Sequence, residues 1–384
     1  MKSESNEYSG FEIGPIRPPS EADSLLLRIT RNCPWNRCKF CGVYKDKKFS
    51  IRPAEHVIRD IESIKECIDI IKKADKENSL SRQAMLNQLI ETESFSKELI
   101  LSALSWYRSG MKSVFLQDAN SLVIKPDDMI RILMNIKSHF TEVERITSYA
   151  RSDTIARISD QDLKRIASVG LNRIHTGMES GSNTVLQLMK KGADKATHIV
   201  AGRKVKKAGI ELSEYFMPGL GGVEYSAENA LETADAFNEI NPDYIRIRTL
   251  AITDRSGLGK LYEEGILTRT DDTTMVHEIL LLIENLKGIS SSVISDHIVN
   301  LIPEVEGTLP ADKKKMIAAL RWFLELDEQE KILYRIGRRT GITRNAKDLS
   351  DPARRARAKS FIEEYGINAS NIDIVVNELM KRFI

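Results

Sequence analysis

Three cysteines fall within nine residues, at Cys33, Cys38 and Cys41, in the stretch Arg31-Asn-Cys-Pro-Trp-Asn-Arg-Cys-Lys-Phe-Cys-Gly-Val-Tyr-Lys45; the one other cysteine of the chain is Cys67. Three thiols on one short loop cannot saturate a metal centre. A coordination position is left over, which belongs to reactive sites rather than to structural staples. Three occupants compete. A disulfide framework wants paired cysteines in an oxidising compartment, and three clustered thiols with one distant one fit that poorly. Structural zinc wants four protein ligands, yet there is no second cysteine pair, and His56 lies past an expected strand-to-helix transition. An iron–sulfur cluster takes thiolates as its normal ligands, and one loop can hold several irons of a cube while one iron stays open.

The elements that must position this loop follow from the hydrophobic pattern. Residues 24–30, 113–116, 144–149, 172–177, 210–217 and 244–250 read as strands. Helical pattern fills residues 53–107, with an interruption near 77–80, and returns at 126–138, at 160–169 and after 182. Strand and helix alternate six times at spacings suited to parallel crossovers, so the fold class is α/β. A doubly wound sheet or a full or partial barrel satisfies this order, and in each the loops after the strands gather on one rim. On that rim fall the cysteine loop, Gln117-Asp-Ala-Asn-Ser121, Met178-Glu-Ser-Gly-Ser182 and Pro218-Gly-Leu-Gly-Gly222. Beyond residue 251 the pattern turns helical, with a short strand expected at 293–297 and breaks at Gly337, Gly341 and Asp351-Pro352.

Composition sets bounds. The chain has 384 residues and a net charge of +2, which commits it to no charged partner. No stretch approaches the ~20 apolar residues of a membrane span; the longest aliphatic run is Ile279-Leu-Leu-Leu-Ile283. The opening residues Met1-Lys-Ser-Glu-Ser-Asn-Glu-Tyr8 carry no apolar leader. With thiols that read as reduced, a cytoplasmic location is expected, with no membrane partner.

The cysteine loop, including Phe40 before the last cysteine, resembles the cluster-binding signature of the radical S-adenosylmethionine (radical SAM) superfamily. Here four and two residues separate the cysteines, where most members have three and two. The Gly-Met-Glu-Ser-Gly-Ser string at 177–182 and the region of His297 are similar to the branch with oxygen-independent coproporphyrinogen oxidase and the Elongator catalytic subunit. The resemblance implies a partial (β/α)6 TIM-like barrel with a helical C-terminal extension. Its parts would be an N-terminal segment (1–22), the barrel (23–251, with the cluster loop at 31–45 and a helical insertion at about 54–108) and the extension (252–384). It further implies an oxygen-sensitive enzyme with a 4Fe–4S cluster on Cys33, Cys38 and Cys41. S-adenosyl-L-methionine would chelate the open iron and be cleaved reductively to a 5′-deoxyadenosyl radical, with electrons from a reduced flavodoxin or ferredoxin-type donor.

The resemblance also suggests which residues hold the cofactor. Asp118 and Ala119 occupy the turn where the family binds the methionine amino group, although the family's paired glycines are missing. Glu179 is placed for the ribose hydroxyls, Gly219 and Gly221 for close backbone approach to adenine, and Phe40 and Tyr44 for contact beside the cluster. Ser213, Arg151, Arg246 and Arg248 lie near strand ends, within reach of a methionine carboxylate or a substrate. Asp296 and His297 are the candidates for catalysis or substrate contact, with His297 expected to titrate near neutrality. The plain alternative is a structural histidine satisfied by Asp296 or backbone. His175, inside a strand, reads as core.

Cys67 stands alone, so a second thiolate-bound cluster is not expected. Residues 331–359 carry ten Lys and Arg against Asp348 and Asp351. This run reads as a helical surface balanced by the acidic Glu325-Leu-Asp-Glu-Gln-Glu330, with phosphate binding as the other reading. The expectation is therefore a single-cluster radical enzyme that abstracts hydrogen from, or adds to, a small-molecule or cofactor-like substrate. A tRNA- or RNA-modifying enzyme is the alternative, and a non-catalytic electron-transfer or metal-binding protein a distant one.

Overall fold

The computed structural model describes residues 7–76, 84, 87, 89, 90, 95–252 and 255–383. The expected interruption near 77–80 lies outside the described residues. The strands are β1 (Leu25–Arg28), β2 (Thr30–Arg31), β3 (Ser50–Ile51), β4 (Ser113–Gln117), β5 (Arg145–Tyr149), β6 (Arg173–Glu179), β7 (Glu211–Phe216), β8 (Tyr244–Ile247), β9 (Ser292–Ile294) and β10 (Gly307–Thr308). The chain divides into two compact units. The first comprises residues 1–34, 46–176 and 204–211; the second comprises 35–45, 177–203 and 212–384.

In the first unit β1, β4 and β5 run parallel, and β5 pairs in parallel with the start of β6 through Thr147–Arg173 and Tyr149–His175. Every residue of β4 is buried, as expected of a parallel strand covered on both faces. The helices Ala54–Lys76, Lys97–Arg108 and Pro126–His139 turn apolar stripes inward. Trp106 fixes one of them: its indole N–H donates to the Ser113 carbonyl at 2.7 Å, and its ring stands edge-on to Phe140 at 4.8 Å. The expected first strand is shorter than its hydrophobic run. β1 stops at Arg28, and Thr30–Arg31 instead forms an antiparallel ribbon with Ser50–Ile51. His175 is a core residue, its Nε2 3.4 Å from the buried carboxylate of Glu21.

In the second unit β7, β8 and β9 are parallel, with Ser213 opposite Tyr244 and Tyr244 opposite Ser292, and β10 closes antiparallel on β9. The strand expected at 293–297 ends at Ile294, so Asp296 and His297 leave it as loop. The helices of the C-terminal third pack on their own core of Val299, Ile332, Ile336, Ile372, Val376 and Leu379. Asp272 ties them together. Its buried carboxylate receives Arg335 Nε at 2.9 Å and an Arg339 guanidinium nitrogen at 2.6 Å. The α/β class expected from the sequence, with a helical C-terminal extension, is borne out.

Burial alone would raise the Asp272 carboxyl, but the Arg339 and Arg335 charges outweigh it and hold the group below its ordinary range. Its contribution to stability is present above the unfolded carboxylate pKa and is lost as pH falls through the lower folded value. Removing the carboxylate leaves the buried Arg339 guanidinium with the Val299 carbonyl and Arg335 with Asp373 at the surface. D272A is expected to cost about 3–5 kcal/mol of stability, read as a lowered urea midpoint. An unchanged midpoint would show that the arginines find other partners.

Candidate functional site

Cys33 belongs to the first unit, and Cys38 and Cys41 belong to the second. None is engaged in a disulfide; Cys38 is buried, and Cys33 and Cys41 are half-buried. The loop from Trp35 to Lys45 has no regular secondary structure, so its polar groups are satisfied one at a time. Asn36 takes a left-handed φ of 46° and donates from Nδ2 to the Tyr44 carbonyl at 2.5 Å. The Lys45 ammonium donates to the carbonyls of Asn36 (3.2 Å) and Cys38 (3.0 Å), so this lysine braces the loop from within. Two bonds fasten the loop to the turn after the helix Asn183–Leu188. Lys39 N donates to Met189 O at 2.9 Å, and Trp35 Nε1 donates to Lys190 O at 2.7 Å. Tyr44 is buried, and Phe40 packs on the apolar cluster of Met189, Leu220, Leu258 and Leu261. Among the described residues, no group of three His, Cys, Asp or Glu side chains is arranged to hold a metal ion. Cys67 is wholly buried in the helix Ala54–Lys76, and burial pushes its thiol up to about 12, which leaves it unreactive.

The other sequence-predicted residues divide in two. In the first unit, the Asp118 side chain is consumed: its carboxylate receives Arg28 at 2.9 Å and Asn32 N at 3.4 Å. Arg28, Arg31 and Arg52 also converge on Glu12, which these three charges hold below the ordinary carboxylate range against the upward push of burial. Only backbone is therefore left to bind a ligand at Asp118, and Ala119 beside it is half-buried in the turn. Arg151 pairs with Asp153 at 2.8 Å.

In the second unit, Glu179 ends β6 with a left-handed φ of 68°, its carboxylate 3.4 Å from the Lys191 ammonium. Ser213 and Arg246 meet across β7 and β8, Oγ accepting from Nε at 3.0 Å, and Arg246 reaches on to Asp296 at 2.9 Å. Asp296 thus serves Arg246; no hydrogen bond joins it to His297. Burial, with the Arg248 charge nearby, pushes His297 down to about 4, so it is neutral at physiological pH and does not titrate where the sequence suggested. Gly219 has a φ of +87°, and a Cβ there would meet Thr270 Oγ1 at 2.8 Å and Met275 Sδ at 2.9 Å. At Gly221 a Cβ would meet Tyr225 Cβ at 2.9 Å. The Gly219 amide donates to Glu278 at 3.0 Å, and Ser226 and Asn229 donate to the same carboxylate.

Residues 27–234, more than half of the chain, match the Radical SAM superfamily. The chain belongs to this superfamily. Enzymes of this superfamily use a 4Fe–4S cluster and S-adenosyl-L-methionine as cofactors. Among curated proteins, the tRNA uridine(34) acetyltransferase of Methanocaldococcus infernus is 23% identical over 108 residues, covering 28% of this chain and 20% of that protein. Among solved structures, M. infernus Elp3 lacking its N-terminus aligns at 16% identity and a TM-score of 0.38, covering 48% of each chain. Methylornithine synthase (PylB) aligns at 13% identity and a TM-score of 0.43, covering 77% of this chain and 68% of its own. This chain thus spans a fifth of the curated relative's length and about half of Elp3's. Among the described residues no helix is long and apolar enough to cross a membrane.

The donor set of the radical SAM enzyme fits such a cluster chemically: three cysteines on one loop, none engaged in a disulfide. Sequence reasoning missed Lys191, Glu214 and Glu278. Glu214 carried a signal, a carboxylate in the middle of a strand whose one other charge, Glu211, is its first residue. Glu278 carried none, because it reads as one more charge on an amphipathic helix.

Burial lifts Glu278 to about 8, against the pull of Gly219 N–H, Asn229 and Ser226. A folded value above the ordinary 4.5 means that its contribution to stability is complete at low pH and is lost as pH rises toward 8. E278Q is expected to flatten the decline in urea midpoint between about pH 5 and 8; an unchanged slope would assign that decline elsewhere.

Proposed function

We propose that Cys33, Cys38 and Cys41 hold the single 4Fe–4S cluster of this enzyme, and that its substrate is a small molecule or cofactor-like compound. The observation that carries this reading is the loop itself: three cysteines outside any disulfide, close in sequence on a braced backbone, within a chain of this family. The bound pair of cofactors supplies the chemistry, in which one electron opens the S–C5′ bond to give methionine and a 5′-deoxyadenosyl radical. The protein's part is orientation and exclusion of water. Glu179 is placed to accept from the ribose hydroxyls, the backbone at Gly219 and Gly221 to lie against adenine, and Phe40 and Tyr44 to wall the site beside the cysteines. The backbone of Asp118 and Ala119 is the contact for the methionine amino group.

Substrate contact falls to Arg246, with Ser213, Asp296 and His297 around it. Arg246 is a fixed cation, suited to an anionic group of the substrate. His297, neutral at physiological pH, is suited to hydrogen bonding and not to carrying charge. A flavodoxin or ferredoxin-type protein is the proposed reductant. An RNA substrate is less well supported, although the curated relative acts on tRNA by its name. Of the ten basic residues in 331–359, Arg335 and Arg339 close on Asp272, Arg338 caps carbonyls of Asn300 and Leu301, Arg354 pairs with Asp348, and Arg355 pairs with Glu330. Half of the run is thus built into the fold, which leaves Lys331, Arg344, Lys347, Arg357 and Lys359 for the surface.

Anaerobic reconstitution tests the reading. Dithionite-reduced protein is expected to form 5′-deoxyadenosine from S-adenosylmethionine. C38A should lose both the absorbance near ~400 nm given by thiolate-bound clusters and the cleavage, while C67A keeps both. A wild-type protein that binds iron yet forms no 5′-deoxyadenosine, or a C38A that still forms it, would contradict the proposal.

A further inference from the structure

The Lys191 side chain is turned inward by its backbone. The helix Asn183–Leu188 ends in a turn where Lys190 has a φ of 51° and Gly192 a φ of 74°, and the Lys191 amide donates back to Leu186 O at 2.9 Å. Only 8% of Lys191 is exposed. Its ammonium lies 3.4 Å from Glu179 Oε1 and 5.5 Å from the centre of the Phe40 ring. One cation therefore touches the carboxylate proposed for the ribose and the aromatic residue beside Cys41.

Three observations show that this contact is built. A Cβ on Gly177 would stand 2.2 Å from Glu179 Oε1 and 3.2 Å from Lys191 Nζ, so the space holding the pair exists only because residue 177 is glycine. Trp35 lies so close over Gly192 that a Cβ there would meet its ring at 2.4 Å, which locks the Lys191 turn to the cysteine loop. Glu214, wholly buried, is a second carboxyl near the pair. Burial drives it well above its ordinary range, Lys191 pulls against this, and Glu179 reinforces it. Neither of its oxygens has a hydrogen-bond partner among the described residues; the nearby Met178 amide falls short of one. Glu214 thus stands beside the pair as a second, fully buried carboxyl.

We infer that Lys191 is a positioning residue: it holds the Glu179 carboxylate in the orientation that receives the nucleoside of S-adenosylmethionine and fastens that orientation to the cysteine loop through Phe40. The inference rests on the proposed role of Glu179. It assigns Lys191 no contact with substrate and no part in proton transfer. Its effect on the nucleoside passes through Glu179.

The test is the affinity of the reconstituted enzyme for S-adenosylhomocysteine, a nucleoside that cannot be cleaved to the radical, measured anaerobically by equilibrium dialysis with iron content as a control. K191M and E179Q should each weaken binding roughly tenfold, the usual effect of losing a positioning partner. The double variant should bind no more weakly than E179Q, because the lysine acts through that carboxylate. If K191M gives no folded protein, K191Q keeps the length without the charge and should show the same loss and the same non-additivity. Wild-type affinity in the lysine variant, or losses that multiply in the double variant, would overturn the inference while leaving Glu179 in its role. Wild-type affinity in E179Q would remove that role, and this inference with it.

Discussion

The site depends on the clamp between an irregular loop and one helix C-terminus. Residues 35–45 have no ladder to satisfy their backbone, and carbonyls hold them instead: Met189 and Lys190, and the loop's own Asn36, Cys38 and Tyr44. The turn that offers the first two exists because Lys190 and Gly192 accept left-handed backbone. The helix before it is capped by Ser182, whose Oγ accepts from Val185 N at 3.1 Å. Ser182 ends the Gly-Met-Glu-Ser-Gly-Ser string that carries Glu179. One short run of chain therefore supplies a carboxylate, a helix cap and the surface on which the cysteine loop rests. A shift in that helix would move both ends of the proposed site together.

Charge inside this enzyme is used for construction more than for display. Asp272 draws two arginines out of a sequence run that looks like a basic surface, and Glu12 gathers three more at the base of the cysteine loop. Isolated, each of these ions would be costly to bury, so each is found with opposite charge at hydrogen-bond distance. Arg246 is also buried and paired, but its partner Asp296 is exposed, so the pair lies open on one side.

Much of the fold was legible because parallel strands covered on both faces leave apolar runs such as Val114-Phe-Leu116, with helical periodicity between them. Strand ends were less legible. Ile29 and Thr30 are as apolar or β-branched as the residues before them, yet the ladder passes to a second ribbon at that point. The cysteines were legible by type and spacing alone. Lys191 was not, since a lysine followed by glycine is the ordinary signature of a helix end exposed to solvent, and the turn that brings it inward shows only in the backbone at Lys190 and Gly192 and the packing of Trp35. The character of His297 was hidden for a related reason: its proton affinity is set by burial and by Arg248, neither of which its neighbours in sequence reveal.

The central claim is that one loop of three thiols holds one cube and leaves one of its irons to S-adenosylmethionine. Mössbauer spectroscopy of anaerobically reconstituted, iron-57-labelled enzyme tests this most directly. The account predicts a single cubane signal in which one iron site changes its isomer shift when S-adenosylmethionine is added while the others stay as they were. A spectrum indifferent to S-adenosylmethionine, or a protein that takes up zinc and no cubane, would contradict it.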